Sequence, residues 1–120
     1  MSFFICVFFG VLTGILAELA ANKLKLWLYR AAWMPIINIL IMFGLIEGAI
    51  AFSIQTPLMK FIVAATAGTL YEIANFKVLH WWQFPDNKMG PIKGEFLICV
   101  VLACAWGVVP IFIHQVAVSI

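Results

Sequence analysis

The chain has 120 residues, 66% of them hydrophobic and 10% charged, with a formal net charge of +2. A water-soluble domain carries about 25% charged residues to solvate its surface, so this composition excludes an ordinary soluble globule. The small charge and the lack of basic runs or RNA-binding aromatic motifs exclude a nucleic-acid partner.

Four apolar runs follow in chain order, at about residues 2–21, 32–52, 58–78 and 95–118. Each is close to the roughly 20 residues that carry a helix through about 30 Å of hydrocarbon. Lipid offers backbone N–H and C=O groups no partner, so these runs are expected to be helices. They are continuous rather than alternating, which argues against a β-barrel. No Lys or Arg precedes the first run, so it reads as a membrane helix rather than a secretory leader. Pro35 stands near the start of the second run, where a missing N–H costs little, and Pro57 opens the third. Phe84–Gly94, with Pro85, Gly90, Pro91 and Gly94, is the clearest loop, and Pro110 predicts a kink in the fourth helix. The expected fold class is all-α: one domain over residues 1–120, an integral membrane four-helix bundle.

Orientation follows from the basic residues. The first loop carries Lys23, Lys25 and Arg30 and the third Lys77, Lys88 and Lys93, whereas the second has Lys60 alone. Positive residues favour the cytoplasmic side, which places loops one and three there and both termini opposite, in an inner or plasma membrane. Trp27, Trp33, Trp81 and Trp82 flank the same loops, as interfacial anchors do.

The sequence also carries an internal echo. At an offset of 54, Gly14, Leu16, Glu18, Ala20, Lys23 and Trp27 superpose on Gly68, Leu70, Glu72, Ala74, Lys77 and Trp81. An offset of two helices describes two tandem, parallel two-helix repeats, an arrangement that in transporters places sites at the repeat interface.

The acidic residues are the next signal, because a carboxylate in a membrane helix costs about 2.5–3.5 kcal/mol and needs a partner, a proton or water. Glu18, Glu72 and Glu95 fall toward the cytoplasmic ends of their helices and Glu47 in the outer half of the second. Spacing groups Glu18 with Asn22 and Glu72 with Asn75, and His80 follows, so these five are the candidate polar cluster. Two carboxylates held close can share a proton or bind a cation. The structural alternative is hydration near the interface and pairing with Lys23, Lys77 or Lys93, the expectation for Glu18 and Glu95. Glu47 and His114 lie at similar depth and are expected to pair in the outer half.

Chemistry beyond this is not expected. Cys6, Cys99 and Cys104 sit in apolar runs without a C-x-x-C pattern, and no Glu-x-x-His motif is present, so neither metal nor cofactor is predicted. No Ser or Cys shares a depth with both a His and a carboxylate, so no catalytic residue is assigned. The leading functional expectation is a non-catalytic accessory or structural subunit of a larger membrane complex. The alternative is a small oligomeric transporter or channel coupling ions or protons through intramembrane glutamates. Partners are then membrane lipid and either other membrane subunits or further copies of the chain.

Overall fold

A computed structural model describes every residue from Met1 to Ile120. The chain is 77% helical and forms four long helices: α1 (Phe3–Leu24), α2 (Met34–Ser53), α3 (Pro57–Ala74) and α4 (Glu95–Val118). Ser2 caps α1 by accepting from the Ile5 N–H at 3.1 Å, and Thr56 caps α3 through Met59 N–H at 3.3 Å with Pro57 behind it. Helix α4 runs unbroken through Pro110, which is buried among its inward residues.

Three helices, α1, α2 and α4, are long and apolar enough to cross a membrane. Helix α3 carries Lys60 and Glu72, and both turn inward, to 1% and 3% exposure. Its outer face is Leu58, Met59, Ile62, Leu70 and Ile73, with Thr66, whose hydroxyl donates to Ile62 O of the same helix. Helices that are apolar all round belong in a large core or in lipid. The bundle measures 42 × 27 × 25 Å, its long axis enough to cover about 30 Å of hydrocarbon and part of both interfaces.

The two connections after α1 and after α3 are built together. Strand β1 (Leu28–Tyr29) pairs antiparallel with β2 (Trp82–Gln83), and a hairpin of β3 (Lys88–Met89) and β4 (Ile92–Lys93) turns at Gly90-Pro91. The segment expected as a loop thus contains a small hairpin, entered through Asp86 and Asn87 at positive φ. The anchoring tryptophans divide: Trp33 is exposed, but Trp82 is 6% exposed and joins Phe84, Met89 and Trp106 in the main core.

The offset of 54 that relates the sequence halves also relates their packing. The buried residues of α1 are Cys6, Gly10, Gly14, Glu18 and Ala21; those of α3 and its π-helical continuation, Asn75–Leu79, are Lys60, Ala64, Gly68, Glu72 and Asn75. Each is the other's counterpart in order. Gly14 lies under the Phe43 side chain of α2, and Gly68 lies under Trp106 of α4. Gly44 lies against Val11, with Val7 farther off, and Gly107 lies against Phe61, the counterpart of Val7. The C-terminal ends of both helices close alike, Leu26 N–H donating to Ala21 O at 2.9 Å and His80 N–H to Asn75 O at 2.8 Å. The β1–β2 register, Leu28 with Gln83 and Tyr29 with Trp82, is unchanged when the halves are exchanged. The large rings Phe43 and Trp106 meet at the centre, 4.8 Å between centroids.

Helix α2 departs from α-geometry. Asn38–Glu47 winds as a π-helix, with hydrogen bonds reaching five residues back. On an α-helix, residues five apart point about 140° away from each other, so Asn38 and Phe43 would not both face inward. The wider turn puts Asn38, Phe43, Glu47 and Gly48 on the buried side together.

The close glycine contacts make one prediction. A Cβ at Gly10 would strike the backbone carbonyl of Phe43, and one at Gly68 would strike the Trp106 ring. Gly10→Ala and Gly68→Ala should each cost about 1–3 kcal/mol, read as a lower unfolding temperature in detergent. Ala20→Leu, at an exposed position, should leave it unchanged.

Candidate functional site

Where the two halves meet, a cavity of about 160 Å³ remains. All four helices and the connections after α1 and α3 reach it: Thr13 and Ala17 from α1, Asn38 and Phe43 from α2, Tyr71 and Glu72 from α3, and Leu102, Ala105, Trp106 and Val109 from α4. Trp27, with Tyr29 on β1 and Trp82 on β2, completes the wall. The rings form a chain of contacts. Tyr29 meets Trp82 at 5.9 Å, Trp82 meets Tyr71 at 4.9 Å, Tyr71 meets Trp106 at 6.1 Å, and Trp106 meets Phe43. Ten of the thirteen lining residues are hydrophobic, so polar groups here are few and each one matters.

Glu72 is the carboxylate in that wall. Its Oε1 accepts from Trp106 Nε1 at 3.3 Å, while Oε2 is buried with no protein partner. Glu18, its counterpart in the first half, is held differently. Tyr29 Oη donates to its Oε1 at 2.5 Å and Asn38 Nδ2 donates to the same oxygen at 2.6 Å. Asn38 Nδ2 also reaches Tyr29 Oη at 3.3 Å, closing a triangle. Burial and the neighbouring Glu18 carboxylate push the Tyr29 phenol well above its ordinary range, so it stays an O–H donor.

Glu18 does not line the central cavity. It lines a second groove of about 550 Å³ beside Asn22, Arg30 and Pro35, and Trp27 and Tyr29 stand between the two spaces, lining both. Tyr29 and Asn38 therefore link the two carboxylates' surroundings: each bonds Glu18 and each faces the cavity that Glu72 faces.

The expected polar cluster is thus partly assembled. Asn75 is 1% exposed, but its side chain works on the backbone. Its Oδ1 accepts from the N–H groups of Trp81 at 2.8 Å and Trp82 at 3.1 Å, and its Nδ2 donates to Trp82 O at 3.0 Å. Asn22 and His80 are exposed, His80 as the left-handed residue that ends the α3 continuation. The expected lysine partners do not serve Glu18 or Glu72: Lys77 reaches Glu95, at 3.9 Å, and both of those side chains are exposed. Neutral donors replace them, because α1 and α3 turn their carboxylates toward the bundle and their lysines outward. Glu47 is 0% exposed with both carboxylate oxygens unpartnered, and His114 Nδ1 is likewise buried and unpartnered. No hydrogen bond joins Glu47 to His114. Lys60 is also sealed in, its Nζ donating to Gln55 O at 3.1 Å.

Tyr29, Asn38, Phe43, Tyr71 and Trp106 are the site residues that sequence reasoning missed. Asn38 had a signal, a lone carboxamide inside an apolar run, but its partner Glu18 becomes visible only once the π-turn faces it inward. No group of three His, Cys, Asp or Glu side chains converges to hold a metal. No protein-family model, curated protein or solved structure matches the chain.

Asn75 offers a direct test of how the cavity wall is held. Asn75→Ala removes three hydrogen bonds to the strand that carries Trp82 and should cost about 1–3 kcal/mol, with faster amide exchange at Trp81 and Trp82. Asn75→Asp, which keeps the acceptor for both N–H groups, should lose less.

Proposed function

We propose that the chain crosses a membrane four times and holds a small solute in the cavity between its halves, as a small transporter or channel would. In this reading the halves are tandem two-helix repeats, loops one and three face the cytoplasm, and both termini lie on the other side. The basic residues of those loops, Lys23, Lys25, Arg30, Lys77, Lys88 and Lys93, are all exposed, which suits that orientation. Helix α3 serves as the fourth span because its two charged side chains turn inward and its outer face is apolar.

The observation that carries the reading is Glu72. Its carboxylate is 3% exposed, lines the cavity, and leaves Oε2 without a protein partner. A buried polar atom without a hydrogen bond costs about 1–3 kcal/mol, and such groups collect where a ligand or water supplies the partner. Two further features agree. The cavity sits at the junction of the repeats, where transporters built from repeats place their sites. The π-helical stretch of α2, a geometry frequent at functional sites, delivers Asn38 and Phe43 to its wall. We assign the chain no catalytic residue, metal or resident cofactor.

The second reading is an accessory subunit of a larger membrane complex. The broad apolar exterior favours it, with Phe4 and Phe96 at 80% and 82% exposure, although lipid tails cover such a surface equally well. Gentle extraction of the tagged chain from its native membrane, followed by mass spectrometry, separates the two. The transporter reading expects the chain alone or as an oligomer of itself. Stoichiometric recovery of larger membrane proteins would replace that reading with the subunit one.

A further inference from the structure

Three buried polar atoms without protein partners belong to residues of the same cavity wall: Glu72 Oε2, Asn38 Oδ1 and Trp27 Nε1. Two are acceptors, and one of those belongs to a carboxylate. Around them the wall is almost entirely carbon, much of it aromatic. This combination excludes most solute classes. An anion would be pressed against Glu72. A hard metal cation would need six or more oxygen ligands, and beyond one carboxylate and one carboxamide the wall has only the hydroxyls of Thr13, Tyr29 and Tyr71, the first two already bonded to Phe9 O and Glu18. A pure hydrocarbon would leave both acceptors unpaired.

A protonated amine with a compact apolar body meets each feature. Small rotations of the Glu72 and Asn38 side chains bring Oε2 and Oδ1, covered in this structure, to its N–H groups, and its charge is balanced by the carboxylate. Tyr71, Trp82 and Trp106 supply ring surface, which attracts cations as well as alkyl groups. The cavity, about 160 Å³, is close to the roughly 150 Å³ apolar cavity known to hold benzene, so the body is of about that size. A hydroxyl oxygen on the amine would accept from Trp27 Nε1.

We infer that the cavity binds a small alkylammonium ion, with Glu72 as counter-ion and Asn38 as second acceptor. This rests on reading the cavity as a solute site and goes beyond it in naming the class of solute.

Three probes of equal size test it on the full chain in lipid nanodiscs: tert-butylammonium, tetramethylammonium and tert-butanol. The first has charge and N–H donors, the second charge alone, the third a neutral hydroxyl. Trp27, Trp82 and Trp106 line the cavity, so intrinsic fluorescence reports binding. The expected result is that tert-butylammonium binds about tenfold tighter than either isostere, and that Glu72→Gln removes this preference. If Glu72→Gln does not fold, the comparison on the unaltered chain decides alone. Equal binding of all three probes, or a preference for tert-butanol or tetramethylammonium, overturns the alkylammonium inference and leaves the solute site standing. No response to any probe, with no uptake of xenon either, overturns both.

Discussion

Between the helix ends, where the outward faces are almost all carbon, a charged or carboxamide side chain has one place to go, and that is inside. Glu18, Asn38, Glu47, Lys60, Glu72 and Asn75 are all turned inward and sealed to 8% exposure or less. All but Glu47 find a partner within the protein, because an unpaired polar group in a carbon interior is expensive. Much of the architecture answers that demand. Tyr29 and Asn38 are brought to Glu18, Trp106 to Glu72, the carbonyl of Gln55 to Lys60, and the backbone of β2 to Asn75. Hydrogen bonding and helix packing are one problem here. Gly10 and Gly68 let the helices close far enough for those partners to meet.

The cavity follows from the same arrangement. Exchange of the halves sets Phe43 opposite Trp106, and each fills the hollow over the glycine of its own half. The two rings meet at an angle of 41°, and the cavity lies beside them. Into that room come the polar groups that the bundle leaves incompletely satisfied, Glu72 and Asn38 above all. The halves are unequal here. Glu18 has two neutral donors on one oxygen, whereas Glu72 has one longer bond and a free oxygen. That asymmetry makes one carboxylate a structural fixture and the other the candidate contact for a solute.

Much of the frame was legible in the sequence because it depends on periodicities that composition exposes. Helix ends fall within a few residues of the apolar runs, since Ser2, Thr56-Pro57 and Gly94 punctuate them. The echo at an offset of 54 was visible through Gly14/Gly68 and Glu18/Glu72, and the buried positions extend the same offset to Cys6/Lys60 and Gly10/Ala64, pairs of unlike residues. The site was less legible. Asn38 reaches Glu18 through a π-helical stretch, and the α-helical rule places it on another face. Trp82 has the sequence position of an interfacial anchor, yet β-pairing with Tyr29 turns it into the core. Asn75 was grouped with the carboxylates by spacing, but its partners are backbone groups six and seven residues ahead.

Glu47 supplies the control for the central claim, that Glu72 faces a space a solute can occupy. Both carboxylates are deeply buried, but Glu47 lines none of the larger cavities. With ¹³C-carboxyl glutamate in the bilayer-embedded chain, solid-state NMR resolves the two signals, assigned by their loss in Glu72→Gln and Glu47→Gln. Adding small solutes of cavity size, charged and neutral, should shift the Glu72 signal and leave Glu47 unmoved. If neither signal responds, or both shift together, Glu72 does not face an occupiable space and the account is wrong.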